Sequence, residues 1–218
     1  MIKLPDYQSF IFDMDGVLIN SEMIYTEMER RNFDELGLHI SPEEHRSFQG
    51  TATDEMWAKL REKYRIPHSI EELVAMTNDL TIPVFQQLEK MPLMPKVEQL
   101  IKILHDKRVP MALASSSFPD VIDLVVQKSG MTKYFMEVVN SRMAGKSKPA
   151  PDIFLLTAKK LNIEPEKCIV IEDSTNGIRA AKTAGMFCIA YNGPGAEFQD
   201  QSEADWIITG YEEIIGLL

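Results

Sequence analysis

The chain has 218 residues, enough for one sizeable core with length to spare for a second, smaller unit. Hydrophobic residues make up 44% and charged residues 26%, which excludes the low-hydrophobicity, high-charge regime in which a chain stays disordered. Its 23 basic and 33 acidic residues give a formal charge of -10, so nucleic acid and anionic membrane are not expected partners. A small phosphorylated metabolite is compatible with that charge, because one bound cation and one lysine invert the potential locally.

The opening segment MIKLPDYQSF lacks the apolar stretch of a signal peptide, and nowhere do ~18 apolar residues run together. Cys168 and Cys188 sit in the apolar runs CIVIE and FCIAY and read as small core residues. Without a Cys-rich framework they fit a reducing compartment better than a disulfide, although a bridge between them stays open at this point. A cytoplasmic protein with no obligate protein partner is expected.

In chain order, QSFIFDM over residues 8–14 reads as a short strand ending in Asp-Gly. Residues 18–92 then change character. Polar and apolar residues recur at three-to-four spacing in IYTEMERRNFDELG, TDEMWAKLREKY and SIEELVAMTNDLTIPVFQQLEK, which predicts an inserted helical unit. Pro92 and Pro95 mark the return crossing, since proline disfavours helix at the residue before it. From about Val109 the order is strand VPMALAS, helix PDVIDLVVQKSG, strand MEVVNS, helix PDIFLLTAKKLN, strand CIVIED, helix TNGIRAAKTAG, strand FCIAY and strand WIIT. Continuous apolar strands alternating with helices predict an α/β fold with a doubly wound parallel sheet. The expected domains are therefore 1–17 with 93–218 as the sheet core, and 18–92 as a helical cap.

Four groups of residues carry candidate chemistry. In FIFDMDGVL, side chains two apart on a strand share a face, so Asp13 and Asp15 point together at the carboxyl end, where open α/β sheets bind ligands. Two close carboxylates call for a shared proton or a cation such as Mg²⁺, yet a bare DxDG is equally a strand-end turn with two solvated acids. In LASSS, the Ser115 hydroxyl is the candidate donor to a phosphate oxygen, with Ser116 beside it; Ser116 and Ser117 read first as N-caps of the next helix. Lys148 precedes Pro149 and so lies in an extended connection, from which its ammonium can act as an anion's counter-charge, whereas Lys146 reads as a solvated charge. In CIVIEDSTNGIRAAKTAG, Glu172 and Asp173 end an apolar strand, with Asn176 and Gly177 in the following turn; the two acids are either helix-start acids or oxygen ligands for a metal.

Through FDMDG, ASSS, KPAPDIF and IEDSTNGIRAAKTAG, taken in this order, the sequence closely resembles the haloacid-dehalogenase-like (HAD) hydrolases and phosphotransferases. The insertion after the first motif resembles the helical cap of the β-phosphoglucomutase and small-phosphatase branch. The resemblance implies a Rossmann-like core and an Mg²⁺-dependent phosphatase acting on a sugar phosphate-like metabolite through an aspartyl-phosphate. It implies that Asp13 is the nucleophile and a metal ligand. Asp15 would be the general acid and base with its backbone carbonyl on the metal, Asp173 a direct ligand, and Glu172 a ligand or its neighbour. Ser115, Ser116, Lys148 and Asn176 would surround the phosphoryl group, and the cap loop at Gly50 and Thr51 would select the substrate.

A sugar-phosphate mutase is the nearest alternative. Mutases of this branch carry a cap His twelve residues after the nucleophile, where this chain has Tyr25, and basic residues around the Gly of the cap loop, which here reads FQGTATDEM. A signalling receiver domain also surrounds a phosphorylated Asp with acids, a hydroxyl and a lysine, but its Asp sits on a middle strand and its chain is about half as long. A silent phosphate- or Mg²⁺-binding protein would lack an acid in one motif, and none is lacking. Trp57 and the Met-rich helix at 76–94 read as core.

Overall fold

The computed structural model describes residues 4–48 and 51–218. In chain order the elements are β1 (Ser9–Phe12), α1 (Glu22–Glu35), α2 (Pro42–Arg46), α3 (Thr53–Tyr64), α4 (Ile70–Gln87), α5 (Val97–Asp106), β2 (Met111–Ser115), α6 (Pro119–Lys128), β3 (Glu137–Asn140), α7 (Ser141–Ala144), α8 (Asp152–Leu161), β4 (Cys168–Glu172), α9 (Thr175–Thr183), β5 (Phe187–Tyr191), β6 (Trp206–Ile208) and α10 (Glu212–Ile215). The six strands form one parallel sheet in the order β3-β2-β1-β4-β5-β6. Because β1 pairs with β2 on one side and β4 on the other, the order reverses beside β1, and a crevice opens at the carboxyl ends there.

The side-chain alternation of the strands builds two cores. Phe10, Phe12, Met111, Leu113, Ile169 and Ile171 face one side, against Leu100, Ile101 and Leu104 of α5, Ile122 and Val125 of α6 and Ile214 of α10. Ile11, Ala112, Ala114, Val170 and Cys188 face the other, against Phe154 and Ala158 of α8 and Ile178 and Ala181 of α9. Burial on both faces is why these strands read as continuous apolar runs. Cys168 and Cys188 are buried free thiols, so the disulfide alternative is removed.

The helices α1 to α4 are inserted between β1 and β2 and hold their own core. Trp57 and Leu60 of α3 pack with Phe33 of α1 and Leu73 of α4. Trp57 is fully buried and its Nε1 donates to Thr77 Oγ1 at 2.9 Å, a core role rather than a substrate contact. Outgoing and returning chain run side by side. Ile19 and Leu93 form an antiparallel bridge, Asn20 N donates to Pro92 O at 2.8 Å and Met94 N to Leu18 O at 3.0 Å. Among the described residues no helix is long and apolar enough to cross a membrane.

Candidate active site

β1 ends at Phe12, so Asp13 and Asp15 are not held by strand alternation but by the turn that follows. Asp13 N donates to Ile171 O of β4 at 3.0 Å, which carries the sheet one residue further and fixes Asp13 at the crevice. Gly16, at φ +76°, closes the turn with its N–H on Ile19 O at 2.9 Å. A Cβ on Gly16 would stand 2.1 Å from Asp173 Oδ2, so glycine is also what lets the fourth motif's acid approach the first motif.

Lys148 arrives from the connection between α7 and α8 and is 4% exposed. Its Nζ donates to Asp13 Oδ1 at 2.5 Å and to Glu172 Oε1 at 2.6 Å. The other oxygen of Glu172 accepts from Asp173 N, Ser174 N and Ser174 Oγ at 2.9, 2.9 and 3.0 Å. Glu172 is thus saturated with donors, tying Lys148 to the start of α9. The Ser174 hydroxyl in turn accepts from Gly177 N at 3.1 Å, the N-cap of that helix. One carboxylate oxygen each of Asp13, Glu172 and Asp173 lie within 4.8 Å of one another, an all-oxygen set of the kind that suits Mg²⁺. The carboxylate of Asp15 is not part of that trio.

Asp15 is held instead by hydroxyls. Ser21 Oγ, fully buried, donates to Oδ1 at 2.5 Å, and Ser117 Oγ donates to Oδ2. This corrects the N-cap reading of the serine run: Phe118 is the N-cap residue of α6 and makes no side-chain cap bond, while Ser117 faces Asp15. Ser21 precedes α1 in the manner of a cap, but its hydroxyl is likewise committed to Asp15 and caps nothing. Ser115 is fully buried; its Oγ accepts from Ser117 N at 3.1 Å and so shapes the loop. Ser116 lines the crevice and accepts from Ser141 Oγ at 3.1 Å.

Above these groups is a cavity of about 570 Å³, walled by the motif residues Asp13, Asp15, Ser116, Lys148, Glu172 and Asp173 below and by the inserted helices above. Thr51 lines it; Asn176, half-buried in the first turn of α9, does not; Gly50 lies outside the described residues. Three features of the upper wall were missed in the sequence. His45 Nε2 and Glu29 Oε2 meet at 2.6 Å, Arg46 lies over the Phe198 ring at 5.1 Å, and Arg30 reaches the same wall. They come from α1 and α2, and no sequence motif joins them.

Residues 7–185 match the family described as haloacid dehalogenase-like hydrolase. The chain belongs to the haloacid dehalogenase-like hydrolases. A probable pseudouridine-5'-phosphatase of Drosophila melanogaster is 31% identical to it over 207 residues, covering 91% of this chain and 87% of that protein. A phosphorylated carbohydrates phosphatase of Thermotoga maritima is 34% identical over 179 residues, covering 82% of each. The solved β-phosphoglucomutase of Clostridium difficile superposes with a TM-score of 0.83 at 25% identity, over 97% of this chain and 96% of that one.

Among the described residues of this haloacid dehalogenase-like hydrolase, four carboxyl groups face one ammonium. Burial, opposed by Lys148 and reinforced by Glu172 and Asp15, pushes Asp13 up to about 8. Burial and then the charges of Glu172 and Asp13 push Asp173 well above the usual carboxylate range. Asp15 is raised by burial, with the Ser117 and Ser21 hydroxyls opposing. For Lys148, burial pulls down, but Asp13 and Glu172 outweigh it and raise the ammonium above its ordinary value. A cation among these acids would relieve their mutual repulsion.

Gly177 supplies a test of how tightly the site is packed. A Cβ there would fall 1.7 Å from Glu172 Oε1 and 1.9 Å from its Cδ. The carboxylate cannot swing aside without abandoning Lys148 and the donors at the start of α9. Gly177→Ala is expected to destabilise the protein by about 2–3 kcal/mol and to reduce turnover as well, measured by denaturant unfolding and phosphate release. Unchanged stability would mean that Glu172 is not fixed as described.

Proposed function

We propose that this hydrolase is a phosphatase that removes the phosphoryl group from a small, sugar phosphate-like metabolite through an aspartyl-phosphate on Asp13. The observation that carries the reading is the convergence, at one sheet crevice, of Asp13, a buried Lys148 bonded to it, and an Asp15 held by the hydroxyls of Ser21 and Ser117. The phosphatase names of the two relatives support it, as does a cavity whose size suits a small metabolite. We place the sheet unit at 1–17 and 93–218 and the cap at 18–92, supported by the paired crossings around Ile19 and Leu93. Two free buried thiols support a cytoplasmic setting.

In this reading an oxygen of Asp13 attacks phosphorus and the bond from phosphorus to the ester oxygen breaks. Asp15 gives its proton to the departing alcohol, then takes one from the water that attacks the aspartyl-phosphate, restoring Asp13 and releasing inorganic phosphate. Lys148 holds a phosphoryl oxygen and balances the charge beside Asp13. Ser115, whose hydroxyl proton has no acceptor among the described residues, and Ser116 are the further donors to the phosphoryl oxygens. Asp13 and Asp173, with the backbone carbonyl of Asp15, are the ligands assigned to Mg²⁺, and Glu172 positions Lys148 beside them. The cation when bound supplies charge neutralisation among the acids and on the phosphoryl oxygens. Thr51 and Gly50 of the cap loop are assigned to substrate selection; Asn176, expected from the sequence to bind substrate, does not line the cavity.

The test is phosphate release from a panel of small phosphate esters with and without Mg²⁺. Release should require the cation, and its requirement should depend on pH. Asp13 without a cation keeps its proton up to about pH 8, so the cation must displace that proton. The half-saturating Mg²⁺ concentration is expected to rise as pH falls below 8, approaching about tenfold per pH unit where one proton is displaced. A requirement independent of pH between about 6 and 8 would contradict the raised pKa of Asp13.

A mutase remains the second reading, favoured by the likeness to β-phosphoglucomutase and by Arg30 and Arg46 on the cavity wall. Against it, Arg46 is already engaged by Glu43 at 3.3 Å and by Phe198, and Tyr25 stands where mutases of this branch carry His. Conversion of β-glucose 1-phosphate to glucose 6-phosphate with a bisphosphate primer, without phosphate release, would establish the mutase.

A further inference from the structure

Tyr25, in the first turn of α1, lines the cavity, and its hydroxyl lies 3.0 Å from Ser117 Oγ. The direction of that bond follows from the proton count. With Asp15 ionised, Ser117 gives its one hydroxyl proton to Asp15 Oδ2, so the proton between Tyr25 and Ser117 then belongs to Tyr25. A polarised chain therefore runs from Tyr25 to Ser117 to Asp15 across three segments far apart in sequence.

A serine hydroxyl by itself is a nearly free rotor, and its backbone does not decide where it points. Ser117 gains a fixed direction from two sides. Its own N–H is anchored on Ser115 Oγ at 3.1 Å, and its Oγ accepts from a phenol on a stiff aromatic side chain. The phenol is positioned in turn: its ring rests against Phe85 of α4, with centroids 5.9 Å apart, and Phe85 is fully buried. The end of α4 is held to the sheet unit by Lys128 of α6, whose Nζ donates to the carbonyls of Phe85, Gln86 and Leu88 at 3.2, 2.6 and 2.7 Å. The register between α6 and α4 thus reaches Asp15 through Phe85, Tyr25 and Ser117.

We propose that Tyr25 is a positioning residue through which the inserted helices orient the Asp15 carboxyl group toward the leaving-group oxygen, with Ser117 as the intermediate. This rests on the assignment of Asp15 as the general acid. The consequence is specific to the leaving group. An ester whose alcohol departs easily as an anion needs little help from a well-aimed acid, whereas one with a more basic leaving group depends on it.

The experiment compares kcat/KM, which reports events up to the first irreversible step, for p-nitrophenyl phosphate and phenyl phosphate with saturating Mg²⁺. The two esters share a ring and differ in the basicity of the leaving phenolate. Tyr25→Phe keeps the ring on Phe85 and removes the hydroxyl. It is expected to lower kcat/KM for phenyl phosphate by about 10-fold and for p-nitrophenyl phosphate by less than about 2-fold. Ser117→Ala should show the same selectivity, and the double variant should be no worse than Ser117→Ala, because both act on one chain. Equal losses on both esters for Tyr25→Phe, or additive losses in the double variant, would overturn the proposal. Asp15→Asn separates the two layers of the argument. If it loses selectively on phenyl phosphate while Tyr25→Phe does not, the link to Tyr25 alone is wrong; if it loses equally on both, the acid role of Asp15 fails and the positioning role falls with it.

Discussion

Asp13→Asn is expected to abolish phosphate release, by at least about 10⁴-fold in kcat, while leaving the cation-free protein no less stable than the natural chain. The two halves of this result have one cause. Asp13 is buried beside Glu172, Asp173 and Asp15, and among the described residues Lys148 is the cation bonded to them. Its pKa is raised to about 8 in the folded chain. A raised carboxyl contributes its stability fully below the unfolded pKa, and that contribution is lost as pH rises through the folded value. By about pH 8 the natural side chain therefore opposes folding, and asparagine carries no such cost. In a chelator at that pH, the Tm of the variant should equal or exceed that of the natural chain. Added Mg²⁺ should raise the Tm of the natural chain more than that of the variant. A variant that retained turnover would remove Asp13 from the chemistry, and one that lost most of its stability without cation would show Asp13 to be structural.

Lys148→Met behaves in the opposite way: it should cost both stability and turnover. Methionine fills much of the same volume but leaves Asp13 Oδ1 and Glu172 Oε1 without their lysine donor, and removes a buried cation that faces the acids. Breaking one side of a buried ion pair typically costs about 3–5 kcal/mol. The loss should be largest in a chelator and partly offset by Mg²⁺, because a divalent ion relieves the same repulsion. Turnover should fall by about 10²–10³-fold or more even with Mg²⁺, the scale seen when one preorganised donor to a charged transition state is removed. Lys146→Met is the control. Lys146 is exposed two residues away in the same connection, and its substitution should change neither quantity. Equal effects of the two substitutions, by unfolding and by phosphate release, would contradict the role given to Lys148.

The sheet was readable because its strands are buried on both faces, so that apolar runs such as CIVIE stand out and place the acids and serine at strand ends, while Lys148 comes from the connection between α7 and α8. Two points were less legible because side-chain hydrogen bonds decide them, and the helix α5 for another reason. A serine before a helix start has the same sequence signature whether it caps the helix or serves another group; Ser21 and Ser117 both serve Asp15, which lies far from Ser117 along the chain. Glu172 and Asp173 are adjacent acids with equal claims on a metal, and the sequence does not show that Glu172 is also bonded to Lys148 and to the N–H groups at the start of α9. The helix α5 at Val97–Asp106 follows directly on the prolines of the return crossing, which mask its strongly one-sided apolar face. In the cap, the upper wall of the cavity draws on Glu29, Arg30, His45 and Arg46 from two helices, and no local pattern joins them. Motifs at strand ends survive in sequence because each sits at a defined structural position; a wall assembled from several helix faces does not.

The central claim is that the phosphoryl group passes through Asp13. It is tested most directly by quenching the enzyme with acid during turnover of a phosphate ester, treating it with hydroxylamine and mapping the modified peptide. The account predicts a hydroxamate at Asp13 alone, dependent on both Mg²⁺ and substrate and absent from Asp13→Asn. Phosphate release with no acyl-phosphate on the protein, or with the adduct at Asp15 or Asp173, would contradict it.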